Sequence, residues 1–141
     1  FTSSDDKKQK ALSMGAHDVL NTKNPAELTA AAGRFDLILT TVNVKLDWNA
    51  YIATLRPKGR LHFLGVPLEP LDINVFPLIA NQCTVSGSPV GSPAGIATML
   101  SFAQQHKIEP VVEIFRFDQV NEALARLSSG QAKYRVVLSN Q

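Results

Sequence analysis

Phe-Asp-Leu-Ile-Leu-Thr, residues 35–40, is a nearly continuous apolar run. Parallel strands that helices cover on both faces carry such runs, whereas half-exposed strands alternate between apolar and polar residues. We therefore predict a buried parallel strand over Phe35–Thr40 and, with it, an α/β fold.

Helix-like and strand-like segments alternate on both sides of this run. The alternation predicts a doubly wound, mostly parallel sheet with right-handed crossovers. Helices are expected at 7–14, 25–32 and 75–80, after Asp47, from Ser92 and after Asp118. The first is expected to be capped by Asp5 or Asp6, and the second follows Asn24. The residues expected to face inward are Ile96, Met99, Leu100 and Ala103 in the helix from Ser92, and Val120, Leu124 and Leu127 in the helix after Asp118. Strands are expected at 17–20, 35–40, 60–64, 84–88, 111–115 and 134–138.

Composition limits the class of protein. A chain of 141 residues with 45% hydrophobic and 18% charged residues predicts one domain, residues 1–141. The net charge of +2 comes from scattered Lys and Arg without a basic run, which argues against nucleic acid as a partner. The apolar stretches are too short to span a membrane, and the single cysteine, Cys83, is compatible with the cytoplasm. We expect a soluble, cytoplasmic protein.

The first eight residues, Phe-Thr-Ser-Ser-Asp-Asp-Lys-Lys, are typical of a buried strand running into a helix. In a doubly wound nucleotide-binding sheet, the second strand ends at the adenosine ribose, and the glycine-rich pyrophosphate turn comes earlier, after the first strand. That turn is not found in this sequence. We therefore expect a C-terminal piece of a longer protein, with the first strand and the glycine-rich turn missing.

Several motifs in order carry a resemblance to a known family. They are Phe-Thr-Ser-Ser-x-x-Lys-Lys (1–8), Ala-Leu-Ser-Met-Gly-Ala-His-Asp (11–18), Phe-Asp-Leu-Ile-Leu-Thr-Thr-Val (35–42), Leu-Arg-Pro-Lys-Gly-Arg-Leu-His-Phe-Leu-Gly-Val-Pro (55–67), Val-Ser-Gly-Ser-Pro-Val-Gly-Ser (85–92) and Lys-Tyr-Arg-Val-Val-Leu (133–138). In this order the chain resembles the medium-chain dehydrogenase/reductase family. The most similar branch is the zinc-dependent, NADP-using alcohol dehydrogenases of the cinnamyl alcohol dehydrogenase type.

The resemblance implies an incomplete Rossmann dinucleotide-binding domain from an oxidoreductase. Such an enzyme transfers a hydride between NADP(H) and an alcohol/aldehyde pair, so an alcohol or aldehyde is the expected small-molecule substrate. Zinc is expected only in an N-terminal catalytic domain outside this sequence. Cys83, His17, His62 and His106 do not have the spacing of a zinc site, and each histidine is interpreted as a core or surface residue. We assign no catalytic residue and no metal ligand, and we expect this portion to be inactive alone.

The cofactor preference can be argued from the start of the chain. NAD-selective sites place an acidic residue at the end of the second strand, where this sequence has Thr2. The hydroxyls of Thr2, Ser3 and Ser4, amides at a helix start, and Lys7 suit a phosphate dianion. The residues alone favour a simple helix cap with solvated lysines. Together with the resemblance they favour NADP.

Further cofactor contacts are expected where strands end, because ligands of open α/β sheets lie outside the carboxyl ends of the strands. Thr41 and Val42 are expected on the adenosine and ribose side. The resemblance implies that Gly65, Val66 and Pro67 pair with the nicotinamide carboxamide. Gly87 and Ser88 are further candidates, expected beside the nicotinamide. The resemblance implies that Arg135 lies near the phosphates, with a solvent-exposed strand arginine as the alternative.

Residues 84–88 are also a candidate dimer contact. The resemblance implies a homodimer in which this edge strand pairs with its copy, and an edge strand needs covering in any case. Two other functions stay open. One is a zinc-free quinone or enoyl reductase of the same family, and the other is a non-catalytic nucleotide-binding or dimerisation module.

Overall fold

The computed structural model describes residues 1–140, which form two compact units, Phe1–Pro89 and the part from Val90 onward. The prediction of a single domain is not tested by this division. The first unit contains helices α1 (Lys8–Ser13), α2 (Pro25–Ala30), α3 (Trp48–Ala53) and α4 (Val75–Asn81), and strands β1 (Phe35–Thr40), β2 (Leu55–Phe63) and β3 (Thr84–Gly87). The second contains α5 (Pro93–Gln105), α6 (Val120–Ser128), β4 (Val112–Arg116) and β5 (Arg135–Ser139).

The sheet of the first unit is parallel, in the order β1-β2-β3. Its register pairs Thr40 with Phe63 and Phe63 with Gly87, so the three strands end side by side. Between the pairs Phe35–Leu55 and Leu37–Arg60 the register shifts, so regular pairing of β2 runs from Arg60. The predicted parallel α/β arrangement is confirmed.

One face of this sheet carries the core of the first unit. Ile38 and Leu61 from the strands are buried with Trp48, Tyr51 and Ile52 of α3, and α4 adds Leu78 at the margin. The Trp48 ring meets the Phe63 ring edge-on at a centroid distance of 4.9 Å. Burial of these side chains supplies the main stabilisation of the unit.

The expectation that helices cover β1 on both faces is wrong for this chain. Leu37 and Leu39 are 52% and 58% exposed, whereas Ile38 and Thr40 are buried. The reason is topological, because right-handed crossovers that add strands in one direction place their helices on one side of the sheet. Helices α3 and α4 both lie on the side of Ile38.

Three predicted helix starts are confirmed by side-chain caps. Asn24, Asp47 and Ser92 accept hydrogen bonds from backbone N–H groups in the first turns of α2, α3 and α5. Each cap satisfies a backbone donor that the helix itself cannot pair. The polar residues before these helices therefore set where the helices begin.

Two other predicted starts and one predicted strand are wrong. Asp5 and Asp6 lie inside a 3₁₀ turn, Asp5–Lys7, and do not cap α1. Asp118 likewise lies in a 3₁₀ turn before α6, where its carboxylate pairs with Arg116. Residues 17–20 do not form a strand, and the backbone pairing next to them is a single bridge between Thr2 and Asn21.

The second unit is built on a separate parallel pair, β4 and β5. Their register runs from the pair Val112–Arg135 to the pair Arg116–Ser139. The inward faces predicted for its helices are largely wrong: Ile96, Met99 and Leu100 are 42–58% exposed, as are Leu124 and Leu127 at 55%, whereas Ala103 and Val120 are half-buried and Ala123 is buried.

Glu113 joins the elements of the second unit. Its carboxylate accepts hydrogen bonds from Arg126 Nε at 2.9 Å and from the Lys133 backbone N–H at 2.7 Å, which connects β4 to α6 and to the segment before β5. The hydrogen bond from Arg126, with a smaller contribution from the Lys133 amide, holds the pKa of Glu113 below its ordinary value of 4.5.

Acid should therefore weaken the second unit through Glu113. A carboxylate whose pKa is lowered by folding contributes stability above its ordinary pKa, and this contribution is lost as pH falls from about 4.5 through the lowered value. We expect Glu113→Gln to lose this acid dependence, measured from the NMR signals of the β4 and β5 amides between neutral pH and about pH 3. The exposed Glu109 provides the control, Glu109→Gln, which should titrate like the wild type. Equal acid sensitivity in the wild type and Glu113→Gln would contradict the assignment.

Among residues 1–140, the structure contains no helix that is both long enough and apolar enough to cross a membrane.

Candidate functional site

The carboxyl ends of the three strands of the first unit meet at one edge of the sheet. The carbonyl oxygen of Thr40 accepts hydrogen bonds from the backbone N–H groups of Leu64 at 2.8 Å and Gly65 at 3.0 Å. The Phe63 carbonyl accepts from the Ser88 N–H at 3.2 Å. These bonds bring together the segments that contain five predicted site residues: Thr41, Val42, Gly65, Gly87 and Ser88. We call this group the strand-end cluster.

Gly65 is closely packed within the strand-end cluster. A methyl group at this position would lie 2.5 Å from the carbonyl carbon and oxygen of Thr41 and 2.5 Å from the carbonyl oxygen of Val42. Backbone atoms cannot move aside as a flexible side chain can, so only glycine allows the two segments this approach. Gly87 is less restricted, because its nearest atom, the Phe63 carbonyl oxygen, would lie 3.3 Å away.

His62 and two serines form a hydrogen-bonded chain on the sheet face opposite the core. Nδ1 of His62 lies 2.9 Å from Ser86 Oγ, and Nε2 lies 3.0 Å from Ser88 Oγ. Ser88 was predicted from the sequence, whereas His62 was interpreted as a core or surface residue. The signal that could have found His62 is the spacing of Ser86, within β3, and Ser88, just after its end, because residues two apart in an extended segment lie on the same side.

The residues predicted to hold a phosphate lie at the start of the chain. Thr2 pairs with the segment after residue 20, donating its N–H to the Leu20 carbonyl and accepting from the Thr22 N–H. Ser3 and Lys7 are exposed. A hydrogen bond from the Ser4 hydroxyl holds the pKa of Asp6 below its ordinary value, with a smaller contribution from the charge of Lys7.

Asp5 is also engaged, since its carboxylate accepts a hydrogen bond from the Asn21 side chain at 3.0 Å. Both acidic side chains of this segment thus have partners of their own. Among residues 1–140, no hydrogen bond or ion pair joins Thr2, Ser3, Ser4 or Lys7 to the strand-end cluster. Their role in binding a phosphate remains a prediction.

Three other predicted residues receive no contact that tests their role. Val66 follows the strand-end cluster and is 71% exposed, and Pro67 is half-buried. Arg135 is the first residue of β5 in the second unit and is exposed. Their assignment to the cofactor remains a prediction.

A cavity of about 390 Å³ lies between α2 and α3, and none of its lining residues belongs to the strand-end cluster. Its walls are mostly apolar and include Leu28, Leu46, Ala50 and Tyr51. Burial raises the pKa of Tyr51, partly offset by a hydrogen bond with Thr22. This cavity was not predicted from the sequence, and none of its lining residues is a predicted cofactor contact.

Metal ligands do not converge in the described part of the chain, where no three side chains of His, Cys, Asp or Glu lie close enough together to hold an ion. These residues therefore do not fit a zinc site.

A parallel sheet whose strand ends gather at one edge, with a tightly packed glycine turn, defines a Rossmann-type nucleotide-binding architecture. Residues 1–105 match the model of a family described as zinc-binding dehydrogenase. The chain belongs to this family.

Named relatives agree with this family. The chain is 61% identical over 140 residues to the aldehyde reductase AdhA of Synechocystis sp., covering 99% of this chain and 42% of that protein. A cinnamyl alcohol dehydrogenase from Sorghum bicolor has a similar structure, with a TM-score of 0.90 and 34% identity over 96% of this chain and 39% of that one. The CAD of Helicobacter pylori, solved in complex with NADP(H), gives a TM-score of 0.78 and 29% identity over 98% of this chain and 39% of that one. The chain thus spans about two-fifths of the length of these relatives.

Proposed function

We propose that this chain is the cofactor-binding portion of an oxidoreductase that transfers a hydride between NADP(H) and an alcohol/aldehyde pair. The observation that carries the proposal is the strand-end cluster, in which Gly65 packs against residues 41–42 beside the ends of β2 and β3. Its support is the membership of the zinc-binding dehydrogenase family, together with relatives that are an aldehyde reductase and a CAD bound to NADP(H).

The cofactor supplies or accepts the hydride when it is bound, and the residues of this chain hold and orient it. Thr41 and Val42 would contact the adenosine and ribose side. Gly65 keeps the turn narrow enough for backbone groups of Val66 and Pro67 to reach the nicotinamide carboxamide. Gly87 and Ser88 would flank the nicotinamide, and Arg135 would neutralise a phosphate.

The segment 2–7 would bind the 2′-phosphate that distinguishes NADP(H) from NAD(H). Ser3 and Lys7 are exposed and available to a ligand. The hydroxyls of Thr2 and Ser4 donate to the Ser4 carbonyl and to Asp6, so they would exchange these partners for the phosphate. The two carboxylates that would repel a phosphate already accept hydrogen bonds, Asp5 from Asn21 and Asp6 from Ser4. An ammonium and hydroxyl donors near a dianion give charge-assisted hydrogen bonds.

Lys7→Ala in the full-length protein is expected to lower the preference for NADPH over NADH about tenfold, roughly 1.4 kcal/mol, because a charge-assisted contact to the phosphate is lost. The measurement is kcat/KM with each cofactor. Lys23→Ala provides the control, since Lys23 is an exposed lysine of the same unit outside the segment. An unchanged preference in Lys7→Ala would show that Lys7 is only part of a solvated helix start.

The function itself is tested on the full-length protein by metal analysis and by reduction of aromatic and aliphatic aldehydes with NADPH and NADH in parallel. Bound zinc and faster reduction with NADPH are expected. Zinc-free protein that reduces quinones or enones would favour the other reductase branch of the family. The 141-residue chain alone is expected to show no turnover, since its described residues form no metal site.

The partners follow from the same proposal. An alcohol or aldehyde is the substrate, and neither nucleic acid nor a membrane is an expected partner. A homodimer would form through residues 84–88, because β3 is an edge strand whose outer side has no ladder partner in the first unit. The proposed location is the cytoplasm, with which the single, free cysteine, Cys83, is compatible.

A further inference from the structure

The hydrogen-bonded chain formed by the side chains of Ser86, His62 and Ser88 involves both ring nitrogens of the histidine. Nδ1 to Ser86 Oγ is 2.9 Å and Nε2 to Ser88 Oγ is 3.0 Å, so both contacts are of hydrogen-bond length. His62 and Ser86 are register partners on β2 and β3, which fixes the first contact by strand pairing. The second contact extends beyond β3 to Ser88, a residue of the strand-end cluster.

The backbone of Ser88 is already held, because its N–H donates to the Phe63 carbonyl at 3.2 Å. Its side chain can in addition rotate about the Cα–Cβ bond. The hydrogen bond to His62 restricts that rotation. A hydroxyl fixed before a ligand arrives costs less conformational entropy on binding than a freely rotating one.

A neutral imidazole gives this hydrogen-bonded chain a donor-to-acceptor direction. One ring nitrogen donates and the other accepts, so the two serines cannot both play the same role. If Nε2 donates to Ser88, the Ser88 hydroxyl proton is free to donate to a ligand carbonyl. If Nε2 accepts from Ser88, the oxygen of Ser88 is free to accept from a ligand N–H group.

A carboxamide presents both a carbonyl oxygen and an NH₂ group, and so matches Ser88 in either arrangement. We propose that His62 is a positioning residue that fixes the Ser88 hydroxyl for a hydrogen bond to the carboxamide of the bound nicotinamide. This inference rests on the proposed function, since it requires that the nicotinamide end of the cofactor lies at the strand-end cluster. His62 itself acts through Ser88.

The test compares two ligands on the full-length protein by calorimetry. NADPH contains the nicotinamide, whereas 2′,5′-ADP contains only the adenosine and its phosphates. His62→Phe is expected to weaken NADPH binding about threefold to tenfold, the range for one lost hydrogen bond, and to leave 2′,5′-ADP binding within about twofold. His62→Gln keeps a donor and an acceptor and should recover part of the affinity.

Ser88→Ala should give the same loss as His62→Phe, and the double variant should lose no more than either single variant, because the two residues act on one hydrogen bond. His17→Phe is the matched control, since His17 is an exposed histidine of the same unit. It should bind both ligands like the wild type.

The outcomes distinguish a failure of the proposed function from a failure of the role proposed for His62. A wild-type protein that binds neither NADPH nor 2′,5′-ADP would overturn the proposed function and this inference with it. Wild-type binding combined with unchanged NADPH affinity in both His62 variants would overturn the inference alone. An equal loss for both ligands would also overturn it, because it would show that His62 only stabilises the sheet. If His62→Phe fails to fold, His62→Gln and Ser88→Ala decide the result.

Discussion

Gly65→Val is expected to raise the Kd for NADPH of the full-length protein at least about tenfold and to lower its stability. The Cβ of valine would lie 2.5 Å from the Thr41 carbonyl group and from the Val42 carbonyl oxygen. Because these are backbone atoms, the 41–42 segment must move, and overpacking of this kind costs about 1–3 kcal/mol or more. The same movement would strain the hydrogen bonds from Leu64 and Gly65 to the Thr40 carbonyl. Calorimetric titration with NADPH and a thermal melt measure the two effects.

Two other glycines supply the controls for this result. Gly91→Ala should change neither quantity, because its nearest contact would be a flexible side-chain carbon of Ile96 at 3.8 Å. Gly87→Ala should have an intermediate effect on the Kd for NADPH and on stability, since its added carbon would be 3.3 Å from the Phe63 carbonyl oxygen. Equal NADPH binding by Gly65→Val and the wild type would mean that the strand-end cluster is not where the cofactor binds.

The sequence predicted those elements whose signals are local. Strand β1 has the predicted bounds, Phe35–Thr40, because a continuous apolar run has few alternatives. Helices α2, α3 and α5 begin where Asn24, Asp47 and Ser92 can pair their first N–H groups. These signals need no knowledge of the remainder of the chain.

The errors arise where tertiary structure decides. Leu37 is as apolar as Ile38, yet it is 52% exposed because the crossover helices lie on one side of the sheet. Periodicity shows which residues share a face of α5 or α6, but not whether another element covers that face.

The candidate site likewise contains residues that the sequence predicted and one residue that it did not. The rule that ligands lie beyond the carboxyl ends of parallel strands predicted Thr41, Gly65 and Ser88, which the structure places in adjoining segments. His62 was missed because its significance depends on the register of β2 with β3, which the sequence does not give. The segment 2–7 was predicted from residue chemistry, and its ligand remains to be tested.

Leu61→Ala is expected to lower the free energy of unfolding by about 2–5 kcal/mol, the range for removing a buried leucine side chain. Leu61 is fully buried at the centre of the first unit, among Ile38, Trp48, Ile52 and Leu55. The alanine would leave a cavity that the paired strands cannot close, because β2 is held on both sides by β1 and β3. Urea denaturation of the chain measures the loss, followed by the fluorescence of Trp48, the single tryptophan in the sequence.

Leu68→Ala removes the same atoms from a side chain that is 91% exposed, so it serves as the matched control. Its effect should stay within about 0.5 kcal/mol, as is usual for surface substitutions. Because both variants lose the same side-chain atoms, the difference between them measures the contribution of burial alone. Similar denaturation midpoints for the two variants would mean that Leu61 is not in the core. They would thereby contradict the packing of α3 on β1 and β2.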